Sequence, residues 1–146
     1  MESPQSTHWS PDVFRGSDGA IPFEQFVGSL PDFKFAALDA AIDRVLSVRG
    51  MALMHTEWLK ALGEGLHEFR VRHDADEIAH MFGGDPPRRA SPGGRILLRV
   101  FIHFHGEKAI LLLGGYDKGK DPSDRRQQRE IAAARRRLSE FKQRRT

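Results

Sequence analysis

The chain has 146 residues, of which 39% are hydrophobic and 29% are charged, and a formal net charge of +3. This length and composition predict one soluble globular domain, and no apolar run approaches the ~20 residues that cross a bilayer. The chain contains no cysteine, which excludes disulfides and zinc–thiolate sites. Because no signal-peptide pattern opens the sequence either, we predict a cytoplasmic protein.

The first part of the chain is dominated by helical patterns. Residues 1–20 show no periodicity and predict a flexible N-terminal segment. A short helix is predicted over 22–30, which begins with a proline suited to a first helical turn. Residues 33–49 carry apolar side chains at helical spacing, and Gly50 follows as a C-cap. A third helical piece is predicted over 52–62.

The pattern then changes to the alternation of β-strands. Residues 66–73 and 95–105 alternate between apolar and polar side chains, and the apolar run 108–113 predicts a third strand. Gly106 allows a tight turn, so the last two strands are predicted to form a hairpin. Residues 74–94 form an unusually long connection, predicted as a loop insertion with a helical turn near its start.

A basic helix is predicted to close the chain, with Ser123 or Asp124 as its N-cap. Its narrow apolar stripe consists of Gln127, Ile131, Ala134, Leu138 and Phe141. Residues 122–146 contain nine lysines and arginines against three acidic residues, a net charge of +6, whereas the rest of the chain carries −3. This asymmetry indicates a polyanion or an acidic protein as partner, or else a solvated helix face.

The order of elements predicts an α+β fold of one domain over residues 21–146. N-terminal helices pack on a small antiparallel meander, and a C-terminal helix follows. We expect helices to cover one face of the sheet and to leave the other at least partly open.

Strand alternation places several cationic and aromatic candidates on that open face. Arg70 and Arg99 oppose the apolar residues of their strands and are predicted to point to the same side. Arg72 shares the face of Arg70, and Phe101 and His103 share that of Arg99. Three further candidates follow the last strand, where glycines free the backbone: Tyr116, Lys118 and Lys120.

Four segments of the chain resemble one family when taken in order. They are GLHEFRVRH, RILLRVFIHF, KAILLLGGYDKGKDPS and REIAAARRRLSEF. Together they are similar to the RelE/HigB superfamily of toxins from bacterial type II toxin–antitoxin pairs, within its phage-derived HigB-like branch. The resemblance covers about residues 20–142.

This resemblance implies a RelE/ParE-like fold and a protein that enters the ribosomal A site and cuts mRNA there. It also implies a cognate antitoxin, often a helix-turn-helix protein, that holds the toxin inactive. No cofactor is expected. Two alternatives share the scaffold: a ParE-like gyrase poison, and a non-catalytic phage-derived binding protein.

Metal-independent RNA cleavage needs a base for the 2′-OH, cations for the charge on phosphorus and an acid for the leaving 5′-oxygen. Arginine suits the electrostatic role because it keeps its proton and its fork matches a phosphate. We therefore predict Arg70, Arg99 and Lys118 at the scissile phosphate, with His103 or Lys118 moving the proton. The expected RNA contacts are Tyr116 or Phe101 by base stacking, and Lys120 and Arg72 by charge.

Each candidate also has a purely structural interpretation. The arginines are possible cross-strand partners of Glu68, the lysines possible loop residues, and Tyr116 can pack its ring on the terminal helix. His103 and His105 face one side of a strand and, with His73, form a weak candidate for a metal site. No carboxylates surround these histidines, so we expect no metal.

Overall fold

The computed structural model describes residues 8–84 and 95–145, and its fold is α+β, which confirms the predicted class. The elements in chain order are β1 (Ser10–Val13), α1 (Pro22–Gly28), α2 (Asp32–Ala40), a π-helical stretch (Ala41–Leu46), α3 (Ser47–Arg49), a 3-10 turn (Gly50–Leu53), β2 (Leu59–Gly63), β3 (Leu66–Val71), α4 (Ala75–Phe82), β4 (Leu98–His105), β5 (Ala109–Asp117) and α5 (Asp124–Arg144).

The five strands form one mixed sheet in the order β1-β5-β4-β3-β2. β2, β3, β4 and β5 pair antiparallel with their neighbours, whereas β1 runs parallel to β5. The predicted hairpin is β4–β5. The predicted three-stranded meander is therefore the centre of a wider sheet, with one additional strand at each edge.

The N-terminal residues form the first of these edges. Ser10 to Val13 pair with Ala109 to Leu112, and the indole of Trp9 meets the ring of Phe104 edge to face at 5.1 Å. Phe14 is buried. The prediction of a flexible segment over 1–20 is therefore wrong for these residues, because apolar side chains dock them on the sheet; residues 1–7 lie outside the described residues.

The second edge replaces the helical piece predicted over 52–62. After the 3-10 turn, β2 pairs antiparallel with β3, with Leu59 opposite Phe69. Trp58 and Leu59 are both buried, and β3 supplies the backbone partners that a helix would have found within itself. The helical prediction was wrong here because spacing over so short a segment does not separate the two structures.

The remaining helices agree with the sequence pattern. α2, the π-helical stretch and α3 follow one another over the segment predicted as 33–49. Within the 74–94 connection, α4 begins with a capping box between Asp74 and Glu77. The part of this connection over 85–94 lies outside the described residues. No helix within the described ranges is long and apolar enough to span a bilayer.

Both faces of the sheet carry a hydrophobic core. On one face, Phe69, Val100 and Ile102 pack with buried residues of the N-terminal helices, including Leu38 and Val45. On the other face, the apolar stripe of α5 packs on the sheet. Its contacts join Ala134 and Leu138 to Leu66, Phe101, Leu111, Leu113 and Tyr116. The prediction of a partly open second face is therefore wrong wherever α5 lies over the sheet.

A bulge in β5 decides which of its side chains face α5. Phe101 of β4 is opposite Gly114 and Ile102 is opposite Leu112, so Leu113 is the extra residue. A bulge shifts the alternation of the strand by one position. Tyr116, rather than its neighbours, consequently lies opposite Arg99 on the α5 face.

Candidate anion-binding site

Four of the predicted cationic residues lie together at one end of the α5-covered face. Arg70 of β3 is directly opposite Arg99 of β4, and Arg99 is opposite Tyr116 of β5. Arg72 follows β3 and Lys118 follows β5 at the same end of the sheet. We call Arg70, Arg72, Arg99 and Lys118 the basic cluster.

A buried carboxylate lies among these cations. Glu68 of β3 has no exposed surface. Its Oε1 accepts a hydrogen bond of 2.8 Å from Nε of Arg70 and lies 3.6 Å from Nε of Arg99. Its Oε2 accepts a bond of 3.3 Å from the side-chain amide of Gln127 on α5. The basic cluster and Glu68 together carry four positive charges and one negative charge, a net charge of +3.

The cluster members differ in exposure. The side chain of Arg99 is 3% exposed and that of Arg70 is 22% exposed, while Arg72 is exposed. Nε of Arg99 is buried and makes no hydrogen bond to a described residue, and its Nη1 donates a long bond of 3.3 Å to the carbonyl of Leu98. A buried guanidinium with unfilled donors is suited to an anion.

Burial lowers the pKa of two members of the basic cluster, Arg99 and Lys118. Burial, more than the charges of Arg70 and Arg72, lowers the pKa of Arg99, which stays charged because arginine cannot be deprotonated in proteins. Burial first, and then the charges of Arg99, Arg70 and Arg72, lower the pKa of Lys118. Lys118 is therefore the member of the basic cluster best placed to exchange a proton.

The two aromatic candidates do not offer a surface to a base. Phe101 and Tyr116 are each 1% exposed, and their parallel rings lie 6.2 Å apart beneath α5. The base-stacking prediction is wrong for both rings because α5 covers them; the alternative, in which Tyr116 packs on the terminal helix, describes its position. The guanidinium of Arg126 lies over the tyrosine ring at 5.2 Å.

The hydroxyl of Tyr116 is buried and makes no hydrogen bond within the described part of the chain. Burial, followed by the negative charge of Glu68, raises the pKa of Tyr116 to about 12. The phenol is consequently protonated at neutral pH and adds no charge to the site.

His103 lies away from the basic cluster. It is four residues from Arg99 along β4, a distance of about 13 Å at ~3.3 Å per residue. Its Nδ1 is 2.8 Å from the carbonyl of Gly65, and its ring neighbours His105 and Phe141. The prediction that His103 moves a proton at the same phosphate is therefore wrong on geometry. His73 instead contacts Glu57 and Glu77, and no group of three or more metal-ligating side chains occurs within the described ranges.

Lys120 lines a cleft of about 380 Å³ between α1, the end of β5 and α5. The other charged side chains of this cleft already have partners. Arg126 pairs with Glu130, Asp117 pairs with Lys34, and Arg137 donates to the carbonyl of Leu113. Lys120 itself is exposed.

Apart from Arg126, which pairs with Glu130, the basic residues of α5 divide into two sets. The inner set binds backbone carbonyls of the sheet and its loops: Arg135 at Leu62 and Gly63, Arg137 at Leu113, Lys142 at Glu64 and Arg144 at Arg15. The outer set, Arg125, Arg129 and Arg136, is exposed and has no hydrogen bond or ion pair to any described residue. The positive charge of the C-terminal block is thus partly structural and partly available to a polyanion.

The sequence pattern did not predict the roles of two residues in the site, Glu68 and Gln127. From sequence, Glu68 is predicted only as a possible cross-strand partner of the arginines. Gln127 is predicted only as part of the apolar stripe of the C-terminal helix. The Glu-x-Arg spacing of residues 68 and 70 places both on one strand face, which is a signal for their contact. No sequence signal connects Gln127 to Glu68, because their contact depends on how α5 lies on the sheet.

Comparison with known proteins identifies no family: no family model, curated protein or solved structure matches the chain.

Proposed function

We propose that the chain is a RelE/HigB-like toxin of a type II toxin–antitoxin pair that inhibits translation in the cytoplasm. In this proposal it is an mRNA endonuclease that acts on the ribosome. Its partners are the ribosome with its mRNA, and a cognate antitoxin, for which a helix-turn-helix protein is the expected class.

The basic cluster is the observation that carries this proposal. Arg70 and Arg99 lie opposite each other on β3 and β4, and Lys118 follows the adjacent strand β5 at the same end of the sheet. Arginine forks match phosphate oxygens, and cations placed where charge develops lower the barrier of phosphoryl transfer. A phosphodiester is the ligand that best fits such a group, and the four family-like segments of the sequence favour RNA.

The reaction assigned to this site is attack of the 2′-oxygen on the adjacent phosphorus. The new O2′–P bond replaces the P–O5′ bond, which leaves a 2′,3′-cyclic phosphate and a 5′-hydroxyl. Arg70, Arg72 and Arg99 stabilise the negative charge on the phosphorane. Lys118, whose pKa is lowered, is the cluster residue that exchanges a proton with the reacting oxygens.

Inducible expression in a bacterial host tests the proposal, with mRNA cleavage mapped on translated messages. We expect the wild type to arrest growth and to cut mRNA, and K118A to lower the cleavage rate by about 10²–10³-fold, the cost of losing one donor to a developing oxyanion. R70A should lower it as well. K108Q is the matched control, because Lys108 is exposed at the opposite end of the sheet, beside Trp9.

Other outcomes of this experiment would contradict the proposed function. Growth arrest with intact mRNA and double-strand DNA breaks would establish the gyrase-poison alternative. Growth without arrest, or arrest that K118A and R70A leave unchanged, would remove the basic cluster from the activity.

A further inference from the structure

Arg70 and Arg99 are two like charges in a close arrangement that is unfavourable without a neutralising group. The two residues are directly opposite each other on neighbouring strands. Like charges at such positions are destabilising, because their side chains are only about 5 Å apart at Cβ. A third group must therefore hold the two guanidinium ions together.

Glu68 is that group. Its Oε1 faces the Nε atoms of both arginines, at 2.8 Å from Arg70 and 3.6 Å from Arg99. Gln127 donates to Oε2, so α5 fixes the orientation of the carboxylate. With none of its surface exposed, Glu68 is held away from any substrate.

The contact of each Nε with Glu68 determines which atoms of the arginines remain available. Nε of Arg70 donates a hydrogen bond to the carboxylate. Nε of Arg99 faces the same carboxylate at 3.6 Å without a hydrogen bond, and its Nη1 donates to the carbonyl of Leu98. Among the described residues, both Nη groups of Arg70 and Nη2 of Arg99 have no hydrogen-bond partner. These are the donors that can bind two oxygens of one phosphate.

We propose that Glu68 is the positioning residue of the site: it turns the Nε edges of Arg70 and Arg99 inward, so that their remaining donors converge on one phosphate. This inference rests on the proposed function and adds to it a residue that never touches RNA. It has an unusual consequence, because Glu68 opposes non-specific RNA binding by its charge while promoting cleavage by its geometry.

The variants E68Q and E68D separate these two effects. E68Q keeps the shape and removes the charge, so its salt dependence of binding to a single-stranded RNA oligonucleotide should steepen by about 0.7 in log–log slope. Its cleavage of ribosome-bound mRNA should fall by about 10²-fold, the scale of a small misplacement of catalytic groups. E68D keeps the charge and shortens the reach, so it should retain the salt slope and lose cleavage.

E130Q is the matched control. Glu130 also accepts a bond of 2.8 Å from an arginine Nε, that of Arg126, but it lies outside the basic cluster. E130Q should steepen the salt slope like E68Q and cleave like the wild type. In addition, the Nε–H signal of Arg70 in ¹⁵N NMR should be protected from exchange in the wild type and E130Q, and less protected in E68Q, whose neutral amide oxygen accepts a weaker hydrogen bond than the carboxylate.

Two results would overturn the proposal. The first is an E68Q variant that cleaves as fast as the wild type. The second is an Arg70 Nε–H that is not protected from exchange in the wild type. If E68Q does not fold, the cleavage rate of E68D tests the proposal instead. Cleavage by E68D at the wild-type rate would contradict a positioning role for Glu68. If the wild type cuts no RNA, the proposed function fails, while weaker Arg70 Nε–H protection in folded E68Q would still support the positioning of the arginines.

Discussion

At the scale of single residues, Tyr116 is unusual because its hydroxyl is buried beside charged groups and makes no hydrogen bond to the residues that the structure describes. It is the only tyrosine of the chain, so its ionisation can be followed alone by ultraviolet absorbance. We expect a titration midpoint near pH 12, since burial raises the pKa of Tyr116 to about 12 from an ordinary value near 10. A midpoint near 10 in the folded protein would contradict the burial of the phenol beneath α5.

The raised pKa of Tyr116 has a consequence for stability. The phenol ionises more readily in the unfolded chain than in the folded protein. Its contribution to the free energy of unfolding is therefore complete below pH ~10 and is lost as pH rises toward 12. The variant Y116F should therefore show no such decrease in the free energy of unfolding between pH 10 and 12. At neutral pH it should unfold within about 1 kcal/mol of the wild type, because the removed hydroxyl has no partner to leave unpaired.

At the scale of elements, the docking of β1 depends on close contact at the end of α3. Gly50 has φ +48°, and a Cβ atom there would overlap the indole ring of Trp9. The backbone N–H of Trp9 also donates to the carbonyl of Ser47. The end of the helical segment and the start of β1 are thus fitted to each other through one glycine.

We predict that G50A lowers the free energy of unfolding by about 1–3 kcal/mol through backbone strain alone, and by more once Trp9 is displaced. Urea denaturation measures this change. G28A is the matched control: Gly28 ends α1, and nothing lies within 4 Å of the Cβ that alanine would add. G28A should be neutral or stabilising by up to about 1 kcal/mol. Equal stability of G50A and wild type would contradict the tight fit between Gly50 and Trp9.

At the scale of the whole molecule, the sheet separates two cores that belong to one domain. Leu38 is buried in the core under the N-terminal helices, and Leu138 is buried in the core under α5. The strands contribute side chains to both. Loss of either core therefore exposes one face of the same sheet, and we expect the two cores to unfold together.

L38A and L138A should each lower the free energy of unfolding by about 2–5 kcal/mol and each shift a single transition. Circular dichroism and tryptophan fluorescence in urea would follow it. R136A, which changes an exposed residue of α5, should stay within about 0.5 kcal/mol of the wild type. Two separate transitions, or an L138A variant as stable as wild type, would mean that α5 is not part of the cooperative fold.

The local regularities of the chain were predictable from sequence. Alternation placed Glu68, Arg70 and Arg99 on the face opposite Phe69 and Val100, and the sheet has them there. This succeeded because side-chain direction follows from backbone geometry over a few residues, with no need of a distant partner. The helical segment over 33–49 and the inward stripe of α5 were predictable for the same reason.

What only the tertiary structure decided are the features that depend on residues far apart in the chain. β1 and β2 exist because β5 and β3 offer them backbone partners, and the bulge at Leu113 turns Tyr116 toward α5. The same helix buries Phe101 and brings Gln127 to Glu68. The sequence thus determined the charges available at one sheet face. The packing of α5 determined which of them are buried and paired and which remain open to an anion, because burial and hydrogen bonding are set by neighbours that spacing alone does not identify.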